Sequence, residues 1–588
     1  MKPISSRQCG TSEEPGITGW RIDGLVFLVI ALLGSLLYCR TLQVPWLIDD
    51  IQNIVENPII RQVTTAWQNI GAPRGLAYLS FALNYRFGEL NLIGYHLVNI
   101  AIHLLASFSV YLIAKRAFPQ TLPRDERFTL DDARIPAASA GLFFLVHPLQ
   151  TQAVNYIVQR MTSMSALFFL LALYGYIRAR EARNAGAHPA APAPVAWYLA
   201  ALAAAVCALM SKQNAAVLPA ALFLFEWLVL GQGRLPRPFV RTSAYLLPFL
   251  LVSCLFIYLQ VGMSDVLLKD AGLAEYWARA EERSATGKIA PTAAMPLAAE
   301  LQQPRKVEKP PENLQLIYQV TEFSVLWLYI RLLLLPYGQV FDYGYPLVGK
   351  LLTLQNVAAG AGLVLLLAVG FWLHRKKPLL AFGIFWFFVT LAVESTIIPL
   401  DAAVEHRLYL PMAGVAIALT ALVRSIPSRD VALGLLLCAL LGYGTATWQR
   451  NALWADPIAF AQDGVHKAPH NQRNHLTLAN AYAEKELWPQ VEDTLRKAIP
   501  LRPAYHVPYD NLGTALFQQG KIRAALQYFS LAAMLKPDYP NAYFNYGTAA
   551  VRLGNQPAAH WALQRLRELR SPLAGPLTGQ IMSMGRTP

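Results

Sequence analysis

The chain has 588 residues, 55% of them hydrophobic and only 15% charged, with a formal net charge of +14. A composition this apolar excludes an ordinary soluble enzyme and points to repeated membrane-spanning helices of ~20 residues each. The positive charge is assigned to cytoplasmic loops and anionic headgroups rather than to nucleic acid.

In lipid every backbone polar group must bond within its own segment, so many spans mean an all-α bundle. The five cysteines, Cys9, Cys39, Cys207, Cys254 and Cys438, form no CxxC pair, which rules out a zinc site or a disulfide framework. GxxxxGK, HExxH and GxSxG are all absent, which weighs against an ATPase, a zinc protease and a serine hydrolase.

Residues 1–22 are polar, carry Lys2, Arg7 and Arg21, and read as a short cytoplasmic tail. No small-residue cleavage site follows the apolar run at 25–37. Helix 1, at about 23–41, is therefore retained and leads out of the cytoplasm. Residues 42–90 form a first outer loop. Its prolines and its Trp46 and Trp67 predict short helices on the membrane surface. Helices follow at about 91–114, 135–149, 163–178, 196–210, 214–230 and 242–260. Their inner loops carry Arg124, Arg127 and Arg134, then Arg178, Arg180 and Arg183, then Arg234, Arg237 and Arg241, as the positive-inside rule requires.

Residues 262–352 read as a large outer loop whose first part, 262–313, is polar and Pro-rich. The apolar run at 314–335 holds Glu322 and Arg331. It is expected to re-enter or to lie on the membrane, because spanning would put Arg375-Lys376-Lys377 outside. Helices at about 353–373, 379–397, 409–423 and 430–448 complete eleven spans, with the N-terminus inside and the C-terminus outside. The membrane domain thus runs over 23–455.

From 470 the composition becomes soluble and repetitive. Leu478-Ala479-Asn480-Ala481, Leu512-Gly513-Thr514-Ala515 and Tyr546-Gly547-Thr548-Ala549 stand 34 residues apart. That period is the tetratricopeptide (TPR) helix-turn-helix pattern. Units are predicted at 470–503, 504–537 and 538–571 inside a 456–575 TPR α-solenoid, with a tail at 576–588. Topology puts its concave surface on the same side as Asp49 and Asp50.

Those two carboxylates follow helix 1 directly and are held at the membrane surface by Trp46, Ile48 and Ile51. A carboxylate near membrane depth is costly and usually functional, and one facing a hydroxyl serves as a general base. The alternative is a solvated turn or a helix cap. Arg74, His147, Arg160, Lys212, His406 and Arg407 all fall at predicted outer ends. Converging, they would bind the phosphate of a lipid carrier; singly, each is an interfacial anchor. Glu405 beside His406 and Arg407 is equally a local ion pair. His96, Asn99 and His103 form one helical stripe, read first as interhelical hydrogen bonding, then as substrate contact and last as a metal site. Asp342 lies in an aromatic turn and is either catalytic or capping.

Together these pieces resemble the bacterial relatives of the transmembrane and tetratricopeptide repeat-containing (TMTC) O-mannosyltransferases, with a GT-C membrane fold. The resemblance covers about 40–571. It is carried by Asp49-Asp50-Ile51-Gln52-Asn53-Ile54, Gly94-Tyr95-His96-Leu97-Val98-Asn99, His147-Pro148, Ser211-Lys212, Asp342-Tyr343, Glu405-His406-Arg407-Leu408-Tyr409 and Arg450-Asn451. It implies one-step inverting transfer of a sugar from a polyprenyl-phosphate carrier to a protein Ser/Thr hydroxyl. Asp49 or Asp50 is then the base. Arg74, His96, His147, Arg160, Lys212, Asp342, Glu405, His406 and Arg407 would hold the donor, and the TPR groove the acceptor. Metal-free catalysis is the implied form, although some GT-C enzymes use a divalent ion. The expected location is a bacterial inner membrane, with the repeats periplasmic. Gln152, Gln213, Gly75 and His406-Arg407 depart from the family pattern, which bears on sugar and carrier identity. Two further readings stay open: a lipid or glycan acceptor on the same fold, and a non-enzymatic membrane scaffold.

Overall fold

Two sequence features decide where the helices of this chain stop: prolines and paired charges. The computed structural model describes residues 17–121, 130–184, 191–235, 239–263, 314–397 and 401–584. Residues 1–16 with Cys9, Arg124, Arg127, Arg237 and the expected polar loop at 264–313 lie outside the described residues. Every regular element among the described residues is helical. Ten helices there are long and apolar enough to cross a membrane, so the chain is a multi-pass membrane protein.

Helix α1 is Ile17–Leu37 and α2 is Gly75–Gly88. Helix α3, Leu92–Thr121, runs nearly two turns beyond its expected end at 114. Its Lys115 and Arg116 do not stop it, because Lys115 pairs with Asp23 of α1 at 2.6 Å and Arg116 with Glu181 at 3.2 Å. Helix α4, Leu130–Val146, ends three residues before the expected 149. Residue 147 precedes Pro148, and a residue before proline is driven out of the α region. Helices α5 (Arg160–Asn184), α6 (Pro192–Ser211), α7 (Leu218–Leu224, continuing as a π turn over Phe225–Leu230) and α8 (Phe239–Met263) follow.

Helix α9, Leu314–Leu334, is one unbroken helix. At 1.5 Å per residue it is about 30 Å long. Gln315 near its start donates to the Thr396 carbonyl at 2.6 Å. At its other end the Leu333 carbonyl meets His147 Nε2 at 3.2 Å, and Leu334 accepts from the Tyr443 hydroxyl at 2.9 Å. Both of its ends therefore meet elements at the end of the bundle that carries Asp49 and Asp50. Its length and composition would also let it cross a bilayer.

Helices α10 (Leu354–Leu373), α11 (Pro378–Ala392, continuing as a π turn over Val393–Ile397), α12 (Pro411–Arg424) and α13 (Arg429–Trp454) complete the bundle. The apolar stretches of α4 and α12 are shorter than a full span, and these two helices pack on each other in the interior. Among the described residues, α1, α3 to α8 and α10 to α13 make up the rest of the bundle beside α9.

Helix α14, Pro457–Lys467, leads into the C-terminal array. Trp454 and Phe460 stack with ring centroids 4.6 Å apart, and Phe341 packs edge-on against both. Three helix pairs follow, one inside each 34-residue unit: α15 (Gln472–Glu484) with α16 (Trp488–Ala498), α17 (Val507–Gln518) with α18 (Ile522–Leu535), and α19 (Pro540–Arg552) with α20 (Gln556–Glu568). The repeated glycine is a packing residue: a Cβ on Gly513 would lie 2.6 Å from the Phe529 ring. The expected tail at 576 is instead part of a last helix, α21, Ala574–Met584. Its Leu577 is fully buried over Gly547, so it caps the apolar end of the array.

A close helix contact in the bundle joins α11 and α12. A Cβ on Gly414 would lie 2.4 Å from the Trp386 ring, whose indole N–H donates to the Leu410 carbonyl at 3.0 Å. Small residues are what allow such approaches between membrane helices. Gly414→Ala is expected to cost about 1–3 kcal/mol, the usual range for overpacking, and to lower the melting temperature in detergent. An unchanged melting temperature would show that Trp386 can move aside freely.

Candidate active site

Asp49 and Asp50 share one helical turn, Ile48–Asp50, which passes directly into a π turn, Ile51–Val55. Leu47 before it is extended, which lets the Asp50 side chain fold back over the turn. One Asp50 oxygen accepts the Leu47 N–H at 3.0 Å and the other the Val158 N–H at 2.7 Å. Asp50 is fully buried. Asp49 is exposed, and its N–H donates to the Tyr156 hydroxyl at 2.8 Å. The adjacent acids therefore differ in kind: Asp50 fixes the turn against the 156–158 segment, and Asp49 presents a carboxylate to the outside. Burial pushes the Asp50 carboxyl up to about 7 against the pull of its N–H donors.

Arg473 of the array binds Asp342 at 2.7 Å and Asp401 at 3.2 Å, and Asp49 contributes to the negative field on it. The Asp342 carboxylate also accepts the Gly344 N–H at 2.9 Å. Gly344 has φ of 52°, and a Cβ there would strike Asn471 at 2.7 Å. Asp342 thus locks its loop to the array.

Lys212 binds Glu394 at 2.7 Å and the Thr162 hydroxyl at 3.1 Å. Burial, opposed by Glu394 and reinforced by Arg74 and Arg407, holds the Lys212 ammonium below its ordinary value. Arg407 donates to the Ala402 carbonyl at 3.1 Å and stands 3.9 Å from Glu322. The His406 N–H donates to Gln152 Oε1 at 2.7 Å, and burial holds its imidazole well below the ordinary value, so it is neutral. Arg74 is exposed and left-handed, with φ of 64°. Gly75 follows it because a Cβ there would lie 2.3 Å from the Ile70 carbonyl oxygen. A non-glycine residue held in that region is a strain found mostly where position matters.

Other expected site residues are held inside the scaffold. Arg160 has no exposed surface, and its guanidinium donates to Asn99, Asn84, Ser80 and the Tyr95 carbonyl. A guanidinium buried and held this way does not face an incoming phosphate. His96 meets the Val44 carbonyl at 2.9 Å, and His103 meets the Tyr409 hydroxyl at 2.8 Å and the Leu145 carbonyl at 3.1 Å. Asn99 reaches the Val154 carbonyl at 3.1 Å. The stripe therefore makes interhelical hydrogen bonds. His147 is buried beneath α9. Glu405 pairs with Arg450 at 2.9 Å rather than with its neighbours in sequence. Tyr156, Gln152, Arg473, Glu394 and Ser395 escaped the sequence reading as site residues. Glu394-Ser395 inside an apolar run was the one available signal.

Two outcomes follow. The raised Asp50 carboxyl is protonated in the folded chain and ionised in the unfolded one between about pH 4 and 7, so its stabilisation is complete below that window and lost as pH rises through 7. Asp50→Asn should flatten this part of a plot of melting temperature against pH; an unaltered slope would remove Asp50 as its source. Arg473→Ala removes the ion pairs to Asp342 and Asp401 together, and limited proteolysis is expected to cut the 337–350 loop faster than in wild type.

No protein-family model matches the chain. It is 22% identical over 530 residues to a protein O-mannosyl-transferase of Caenorhabditis elegans, covering 85% of this chain and 66% of that one. It is 22% identical over 569 residues to the protein O-mannosyl-transferase TMTC3 of Mus musculus, covering 89% and 52%. Over 161 residues it is 32% identical to the protein O-mannosyl-transferase Tmtc1 of Drosophila melanogaster, covering 25% and 17%. The chain thus resembles TMTC proteins over most of its length, and it spans about half to two thirds of the relatives that it matches this extensively. Among solved structures, ArnT from Cupriavidus metallidurans bound to undecaprenyl phosphate overlays with a TM-score of 0.34 at 14% identity, covering 92% of this chain and 80% of that one; the fold is argued from the helices above.

Proposed function

We propose that the chain is a GT-C-type glycosyltransferase that moves a hexose from a polyprenyl-phosphate carrier to a Ser or Thr hydroxyl of a protein, on the periplasmic side of a bacterial inner membrane. The observation that carries this reading is the division of labour between the two acids: a buried Asp50 anchors the turn, and an exposed Asp49 waits at its tip. Asp49 takes the proton of the acceptor hydroxyl. The oxygen attacks the anomeric carbon from the face opposite the phosphate, the carbon–phosphate-oxygen bond breaks, and its electron pair leaves on the carrier. One displacement inverts the anomeric centre.

Arg74 faces the outside next to Lys212 and is the cation best placed to hold the departing phosphate. A glycosyl phosphodiester already carries a phosphate leaving group on its anomeric carbon, so the reaction needs no nucleotide. A resident divalent ion fits the mouth poorly: Asp50 is taken by backbone N–H groups, and Asp342 and Asp401 by Arg473. Arg473 also brings the helical array to the edge of the mouth. An acceptor chain lying along the array would have its hydroxyls near Asp49.

The test is turnover of purified protein in lipid with a polyprenyl-phosphate hexose and envelope proteins as acceptors, read by intact mass. Asp49→Asn is expected to lower turnover by about 10²- to 10⁴-fold, the range for removing a general base. Asp49→Asn at wild-type rate would overturn the assignment. Arg74→Ala should act mainly on the rate of transfer and on inhibition by free carrier phosphate.

A further inference from the structure

One locus beside the mouth concentrates buried polar atoms that have no hydrogen-bond partner among the described residues. They are both carboxylate oxygens of Glu322, Glu394 Oε2, the Ser395 hydroxyl and His406 Nδ1. Glu322 is 1% exposed, and Glu394 and Ser395 are 4% exposed. Buried polar atoms in native proteins are nearly always satisfied, by protein, water or ligand, and an unanswered one costs about 1–3 kcal/mol. Several in one place call for a guest.

Three features say what the guest is. The unanswered atoms are mainly carboxylate oxygens, which accept hydrogen bonds, joined by one hydroxyl and one imidazole nitrogen. The guest must therefore bring several hydroxyl donors. A phosphate brings acceptors, and these carboxylates would repel it. The nearby cations are also engaged, Lys212 with Glu394 and Thr162, and Arg407 with the Ala402 carbonyl and, at 3.9 Å, with Glu322, which answers the Glu322 charge without a hydrogen bond. The Tyr318 hydroxyl, close to Glu322, donates to the Glu394 carbonyl.

The locus is tied to the acidic turn by one short helix, Gln150–Asn155. Gln152 on it accepts the His406 N–H, and Tyr156 one turn later accepts the Asp49 N–H. Four residues of helix rise about 6 Å. Glu394 and Ser395 stand on the π turn that ends α11, a distortion that recurs at functional sites.

Resting on the function proposed above, we infer that Glu322, Glu394 and Ser395, with the His406 imidazole, form the subsite that binds the hydroxyls of the transferred hexose. The carrier phosphate lies on the Arg74 side and the sugar on the Glu394 side, with Asp49 facing the anomeric carbon between them. These side chains select the sugar by its hydroxyl pattern, and they do not grip the lipid.

The experiment uses the full chain in lipid with Ser395→Ala, Glu322→Gln and Glu394→Gln. Ser395→Ala removes a hydroxyl and leaves every charge in place, so it keeps the test open if a charge variant fails to fold. Each variant is expected to lose tenfold or more in kcat/KM for the hexosyl donor. Inhibition by unglycosylated polyprenyl phosphate should stay within twofold of wild type. Donors lacking single hydroxyls should separate wild type from variant less than the intact sugar does. Equal losses for bare carrier and hexosyl donor, or unchanged kcat/KM in all three variants, would overturn the subsite. So would a wild type that needs a divalent cation and loses that need in Glu394→Gln. Binding of a methyl hexoside by saturation-transfer NMR gives a readout independent of turnover. A wild type that transfers nothing yet binds the hexoside through Ser395 keeps the subsite and removes the proposed reaction. A wild type that shows no hexoside contact removes the subsite.

Discussion

Glu405 has no exposed surface and accepts from four groups: the Gln339 amide at 3.0 Å, the Val340 N–H at 2.8 Å, the Tyr343 hydroxyl at 2.9 Å and Arg450 at 2.9 Å. A buried carboxylate is tolerable only when its lone pairs are answered, so these groups are drawn to one point. That requirement fixes the loop after α9 against both the 405–408 turn and α13. Phe341 and Asp342 then fall where Trp454, Asn471 and Arg473 can meet them. Removing one partner would leave charge unanswered and loosen all three elements together.

A similar logic organises the mouth in pairs, each consisting of a buried residue that fixes the backbone and a neighbour whose place it sets. Asp50 holds Asp49. Gln152 holds His406. Gly75 allows Arg74 its unusual backbone. Two of the acidic groups, Asp49-Asp50 and Glu394, stand at or beside π turns, where one extra residue re-aims the chain against the regular helix. The helix interior is rigid, so such a distortion is a cheap way to turn a side chain toward a site without moving the helix.

Much of the fold was legible because its physics is local. Apolar run length sets helix existence, His147-Pro148 sets the end of α4, and the 34-residue spacing of Gly513 and Gly547 sets the helix pairs. What escaped the sequence depended on distant partners. Lys115-Arg116 reads as a helix end until Asp23 and Glu181 are seen to neutralise it. Arg160 reads as a free cation until Asn84, Asn99 and Ser80 consume its donors. Asp49 and Asp50 are equivalent in one dimension, and only the Val158 N–H tells them apart. Glu394 and Ser395 are two polar residues at the end of an apolar run, and nothing nearby in sequence says that Lys212 and Glu322 stand beside them.

The Trp454–Phe460–Phe341 stack joins α13 to α14 by packed rings, not by a flexible linker. Arg473 adds a second fastening on the far side of that joint. Two fastenings on either side of a joint remove its rotation, so the array and the membrane bundle keep one fixed angle. The distance from any point on the array to Asp49 then becomes a constant of the molecule. Under the proposed reaction the array would measure as well as bind: a bound chain could be modified only at residues a set number of positions from its anchor, giving regular spacing between modified sites.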